Sequence, residues 1–350
     1  MQRISRLMIS AMATAGLYLM SAGWDMEMER TEAGRMKNVV LVTAAPAAAL
    51  TREEPEEILV AVGAEPVEEV GAELKAFILP EREDKPQFGK AQGDGDTVLE
   101  TTIEGGMRIK NETGYYVDAA ELIGRGPGIS LDGTGPQILI IHTHSSEAYT
   151  QAGLDRYTAS DSNRTEDTQF NIVRIGDELT EILTDCGLNV IHDRGIYDYP
   201  SYTGSYSRSG AAIEQYLQSY PTIQIVLDIH RDALGSDGVV YKTMAEEDGS
   251  CASQIMLLAG SDDSGLAHPG WQNNLALALY LQNAVVQQNP TLMRPVSLVR
   301  ERYNQHLTPG SLIVEVGSSG NTLQEALAAI RLFGKAVGPA MLELISNSEE

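Results

Sequence analysis

Three short stretches concentrate the side chains able to do chemistry. They are His142-Thr-His144-Ser-Ser-Glu147, then Asp228-Ile-His230-Arg231-Asp232, then Glu315 within Ile313-Val-Glu-Val-Gly317. Imidazoles and a carboxylate form an oxygen/nitrogen donor set that suits zinc, and a catalytic zinc keeps three protein ligands and one open position. His144 and Glu147, three apart, can hold one ion from the same side, and His230 supplies a third donor from a distant segment. His142 and His144 are two apart, so in an extended chain they face the same way and either can be the ligand, with the other behind it. His144 has the better spacing to Glu147. Zinc hydrolysis also needs a base for the attacking water, and Glu315 suits that part. A carboxylate in an apolar strand is costly unless paired or metal-bound. The remaining histidines, His192, His268 and His306, read as hydrogen-bonded core or surface residues, although His306 follows Asn304-Gln305 and could line a cleft.

The elements that must position these residues read as an α/β domain. Ile138-Leu-Ile-Ile and Ile223-Gln-Ile-Val-Leu-Asp-Ile are continuous apolar runs of the kind buried parallel strands show, as is Leu312-Ile-Val-Glu-Val. Leu188-Asn-Val-Ile, Val239-Val-Tyr and Ile255-Met-Leu-Leu read as further strands. Helical spacing appears from Phe170 to Leu183, ended by Gly187, and again from Ile213 to Tyr220, stopped by Pro221. Two more helices are expected, from about Asn273 to Gln288 and from Thr322 to about Leu344. Alternating strands and helices predict a mostly parallel, twisted sheet flanked by helices on both faces. In such sheets the site lies beyond the carboxyl ends of the strands, where the three loaded stretches fall.

The chain has 350 residues, 43% of them hydrophobic, and a formal net charge of −24. That charge argues against a nucleic-acid partner, which would need a basic face, and disfavours adhesion to anionic lipid. Two cysteines, Cys186 and Cys251, exclude a disulfide framework and a Cys-rich zinc module, while leaving one bridge open. No G-x-S-x-G elbow, Walker loop, strand-linked G-x-G-x-x-G, H-E-x-x-H or C-x-x-C occurs. Arg3 and Arg6 precede an uncharged run from Leu7 to Trp24, the layout of an export signal, either cleaved or kept as an anchor. The expectation is an anchor over 1–30. Residues 51–100 hold 14 acidic and 5 basic residues among Pro and small residues, so 31–105 reads as an acidic low-complexity spacer before a catalytic domain over 106–350.

Four motifs in order carry a family resemblance. They are His142-Thr-His-Ser-Ser-Glu-Ala-Tyr149, Tyr199-Pro-Ser-Tyr202 with Ser205-Tyr-Ser-Arg-Ser209, Asp228-Ile-His-Arg-Asp-Ala233, and Tyr303-Asn-Gln-His-Leu-Thr-Pro-Gly-Ser-Leu-Ile-Val-Glu-Val-Gly317. From about Ile109 to Ala340 the chain resembles the stage II sporulation protein P family of cell-wall hydrolases. The tail Glu315-Val-Gly-Ser-Ser-Gly-Asn321 is also similar to zinc-dependent N-acetylmuramoyl-L-alanine amidases, where the matching glutamate is catalytic. The resemblance implies a Zn2+ enzyme that cuts the bond between N-acetylmuramic acid and L-alanine in peptidoglycan, with peptide cross-links as a second target. It implies a single-pass membrane protein whose catalytic domain works outside the cell membrane during engulfment, with stage II sporulation proteins D and M as partners. The related amidases open the helix after the first strand with a ligand glutamate. No glutamate stands in the aligned place in Asp167-Thr-Gln-Phe-Asn-Ile, so Glu147 and Glu166 compete for that role. In the implied reaction Arg231 either stabilises the oxyanion or is a salt-bridged structural residue, and Arg208 either pairs with a stem-peptide carboxylate or is a surface side chain. A zinc carboxypeptidase acting on wall peptides and a non-catalytic membrane-anchored scaffold are the alternative classes, and metal content separates the scaffold from both enzymes.

Overall fold

A computed structural model describes residues 97–103, 107–236, 238–246 and 251–345. By its internal contacts the chain divides between Phe77 and Ile78, and every described residue belongs to the second unit. The expected anchor over 1–30 and most of the spacer lie outside the described residues. Among the described residues no helix is long and apolar enough to cross a membrane.

Seven strands make the main sheet: β2 (Ile109–Asn111), β3 (Ile138–Ile141), β4 (Val190–His192), β5 (Ile225–Asp232), β8 (Ile255–Ala259), β9 (Val296–Leu298) and β10 (Gly310–Ser318). Their order is β2-β9-β8-β10-β5-β3-β4. Five of the six neighbouring pairs run parallel, and β8 against β10 is antiparallel. The sheet is therefore two parallel blocks of opposite direction joined at β8 and β10. The strands with chemically loaded ends, β3, β5 and β10, all lie in one block, so their carboxyl ends share one edge.

Four helices follow from the apolar pattern: α2 (Ile172–Asp185), α3 (Ser205–Ser219), α4 (Trp271–Val286) and α5 (Leu323–Leu342), with the short α1 (Ala119–Arg125) before them. Asn171 caps α2 by accepting from the Val173 amide. Gly187, at φ 96°, closes it in a Schellman turn, with its amide bonded to Thr184 and that of Leu188 to Leu183. Thr322 and Glu325 form a reciprocal capping box on α5. Side chains from α2, α4 and α5 pack with Ile138, Ile140, Leu227, Ile229, Leu312 and Val314 in the main core. The opposite face holds Leu139, Ile141 and Val226 under α3, and beside them Leu258, Val299 and Ile313 under Tyr303. Helices thus cover both faces, three against one.

A second sheet, in the order β1-β7-β6, is built from β1 (Thr97–Thr101), β6 (Gly235–Ser236) and β7 (Val239–Thr243). Two expectations change here. Val239-Val-Tyr belongs to this small sheet, and Thr97–Thr101, inside the expected spacer, pairs in register with Val239–Thr243. The helix expected from Ile213 begins at Ser205, because Ser-Tyr-Ser-Arg-Ser carries no apolar period to announce its first turns. Cys186 and Cys251 form no disulfide with one another.

Candidate active site

Strand alternation decides which polar residues can meet. Val226 and Ile313 face away from the main core, so Asp228, His230 and Glu315, at even offsets from them, share that face. Register brings them side by side: Ile313 lies opposite Asp228 and Glu315 opposite His230. Ile141 is paired with Asp228 on the other flank.

The same alternation turns His142 away. It follows Ile138 and Ile140 to the opposite face, where Nδ1 lies 3.1 Å from the Ile229 carbonyl oxygen and Nε2 lies 2.8 Å from His192 Nε2. Burial lowers His142 to about 3, and a Cβ on Gly176 of α2 would stand 2.5 Å from both histidine Nε2 atoms. Glycine in that helix makes room for the pair. The strand ends at Ile141 and residues 143–146 form a turn, so the extended geometry that would align His142 with His144 does not extend through them.

His144 and Glu147 come off that turn into the site. The His144 and His230 rings meet edge to face with centres 5.2 Å apart, and Glu147 Oε2 lies 3.5 Å from His230 Nδ1. Tyr202 stacks on His144, planes within 11° and centres 4.4 Å apart, with its hydroxyl 3.0 Å from Nε2. Glu166 is exposed and Glu147 buried.

The loop carrying Glu147 is tightly held. Arg231 donates its backbone amide to Glu147 Oε2, Nε to the Ala148 carbonyl and Nη2 to the Asn163 carbonyl. Its guanidinium is turned under the loop. Arg164 bridges Asp198 and Glu147 and lies over the Tyr202 ring, 5.1 Å from its centre. Asp198 also accepts from the Ser146 amide and hydroxyl. Arg208 donates to the carbonyls of Tyr197, Thr203 and Ser201, fastening the loop that carries Tyr202. Arg164, Asp198 and Tyr202 have roles here that no spacing in the sequence announces: each sits in an aperiodic loop, and only Tyr202 falls within a recognisable motif.

The electrostatics favour a cation. Burial opposes a charge on His230, but Asp228 and Glu147 outweigh it and raise its pKa well above the usual range. Asp228 Oδ1 lies 2.9 Å from His230 Nε2 off the direction of a good hydrogen bond, so the pair is ionic rather than directed. Burial would raise Glu147, yet Arg231 and His230 hold it well below the carboxylate range. Burial lowers His144 to about 4. Glu315 is only partly covered as a residue, but its Oε2 is sealed from solvent without a hydrogen-bond partner. Desolvation and then Asp232 push it up to about 8.

These donors fit zinc in kind. Among the described residues no group of three His, Cys, Asp or Glu converges closely enough to hold an ion as it stands. The fit is one of donor chemistry and of the partnerless Glu315 oxygen.

A family model described as stage II sporulation protein P matches residues 62–338. The stage II sporulation protein P of Bacillus subtilis (strain 168) is 24% identical over 203 residues, 54% of this chain and 47% of that protein. The chain thus spans about half the length of the curated relative it matches. Among solved structures, the N-acetylmuramoyl-L-alanine amidase AmiC2 of Nostoc punctiforme is 14% identical, with a TM-score of 0.35 over 60% of this chain and 97% of its own. An N-acetylmuramoyl-L-alanine amidase from Clostridium difficile 630 is 12% identical, with a TM-score of 0.33 over 62% of this chain and 100% of its own.

Proposed function

We propose that this chain, which belongs to the stage II sporulation protein P family, hydrolyses the amide bond between N-acetylmuramic acid and the L-alanine of the peptidoglycan stem. The observation that carries the reading is Glu315: a carboxylate with a sealed, partnerless oxygen, directly beside His230 in the sheet, on the face to which His144 and Glu147 are delivered. A group near pKa 8 can both take and return a proton near neutral pH. Glu315 accepts the proton of the attacking water and passes it to the leaving amine. His144, Glu147 and His230 are the residues that would hold a zinc ion, which when bound supplies Lewis acidity to the site. Arg231 and Arg164 fix Glu147, and Tyr202 fixes the His144 ring.

The proposal extends to an anchor within residues 1–30, to action outside the membrane, and to work beside stage II sporulation proteins D and M. Cleavage of peptide cross-links belongs to it as a second target. The test is to incubate the full chain with intact peptidoglycan, with and without a chelator, and to analyse the soluble products. Stem peptides bearing a free N-terminal L-alanine, lost on chelation, are expected. Glu315→Gln should keep the metal and lose turnover; full activity in that variant would end the assignment. Release of single amino acids would point instead to a carboxypeptidase.

A further inference from the structure

Arg231, the side chain the sequence offers for charge developing on the substrate oxygen, has its Nε and Nη2 donors committed to Ala148 and Asn163. Another donor stands beside His144. Tyr206, in the first turn of α3, meets His144 edge to face with ring centres 5.4 Å apart, and packs on Tyr303 with centres 5.2 Å apart. No protein group hydrogen-bonds its phenol among the described residues, while the Asp228 and Glu315 carboxylates both act on it electrostatically. A tyrosine phenol ordinarily holds its proton until about pH 10, so Tyr206 can donate near neutral pH.

The ring is also held in place. Asn304 Nδ2 donates to the Tyr206 carbonyl oxygen and to Ser209 Oγ, at 2.9 and 3.1 Å. Ser209 bonds Thr143 at 2.7 Å, and Thr143 donates to Asp228 at 2.6 Å. The helix turn bearing Tyr206 is therefore tied to the strand bearing His230. Tyr303 holds its place against Tyr206 at φ 51°, a left-handed conformation that a bulky aromatic rarely adopts. Such strain persists where surrounding contacts over-determine it, and it clusters at active sites.

We propose that Tyr206 is the substrate-facing donor of this site, its phenol O–H hydrogen-bonding the carbonyl oxygen of the scissile amide as water adds to the carbonyl carbon. This rests on the hydrolysis reading above. As the new C–O bond forms, the C=O π pair moves onto the carbonyl oxygen and Glu315 takes the water's proton. The phenol keeps its own proton and stabilises the negative oxygen. When the C–N bond breaks, the oxygen's pair returns to carbon and the proton leaves Glu315 with the amine.

Tyr206→Phe removes one oxygen and no protein hydrogen bond, and its thermal midpoint should match the parent. With the full chain and a soluble muropeptide, kcat should fall about 100-fold with KM within about a factor of 2. A muramyl-L-alanine analogue carrying a phosphinate in place of the scissile amide should lose a similar factor in affinity by calorimetry. A variant that keeps kcat, or that changes only KM, overturns the role of Tyr206 while leaving the hydrolysis reading in place. A parent chain that releases no stem peptide overturns the hydrolysis reading, and this proposal with it.

Discussion

His230 lies between Asp228 and Glu147, and those two carboxylates hold a proton on it far more firmly than water would. A place that stabilises one positive charge this well suits a metal ion too, but imidazole must be deprotonated to act as a ligand. Zinc uptake at neutral pH should therefore expel about one proton per ion from His230. Calorimetric titration with zinc in buffers of differing ionisation enthalpy reads that number when made on the Glu315→Gln chain, which lacks the other group raised toward neutral pH beside His230. A value of zero would remove His230 from the donor set. Residue types at strand ends made His144, Glu147, His230 and Glu315 legible in the sequence, because each interrupts or follows an apolar run. Arg164, Asp198 and Tyr202 were not, since their roles depend on three loops meeting, and loop geometry has no period to read.

At the level of single elements, the difference between His142 and His144 is one of strand alternation and where the strand stops. His142 continues the inward face of Ile138 and Ile140, while His144 lies past the end of β3 in a turn. His144→Gln should lower zinc content, and His142→Gln should retain it, as measured on purified chains. The buried His142 carries a second consequence. It stays neutral in the fold down to about pH 3, whereas the unfolded chain protonates it below about 6.5. The folded state thus binds fewer protons, and stability falls as pH drops from about 6.5 toward 3, by up to about 1.4 kcal/mol per pH unit. His142→Gln should flatten the slope of unfolding free energy between pH 4 and 6 by about one proton, and an unchanged slope would mean the imidazole is not neutral in the fold. The apolar runs of β3, β5 and β10 could be read because both faces are buried. The first turns of α3 could not, because Ser205 and Ser209 are buried by hydrogen bonding rather than by hydrophobicity.

Across the whole described unit, strand pairing reaches into the stretch that composition assigns to the spacer. β1 comes from a stretch rich in charge and glycine, yet Thr97–Thr101 runs parallel to Val239–Thr243 along its full length. Just beyond it, the Ile103 amide and carbonyl both bond the side chain of Gln254, which enters β8. Lys242 of β7 lies 3.6 Å from Glu100 and 2.8 Å from Glu325, linking β1 to the cap of α5. β7 in turn backs the end of β10, where Asn321 exchanges hydrogen bonds with the backbone of Thr243. β10 bears Glu315, so these N-terminal contacts brace the edge of the sheet where the site lies. An isolated strand has no reason to form alone, and composition cannot see a parallel partner about 140 residues away that is itself only half-buried. A chain shortened to begin at residue 106 loses β1 and both Ile103 bonds and leaves β7 an open edge. Relative to one beginning at residue 96, it should melt several degrees lower, since about 1–2 kcal/mol shifts the midpoint of a domain this size by roughly 2–8 °C. Limited proteolysis should cut it faster between Gly235 and Thr243. Equal midpoints and equal cleavage would place β1 outside the folding unit and restore the boundary that composition gives.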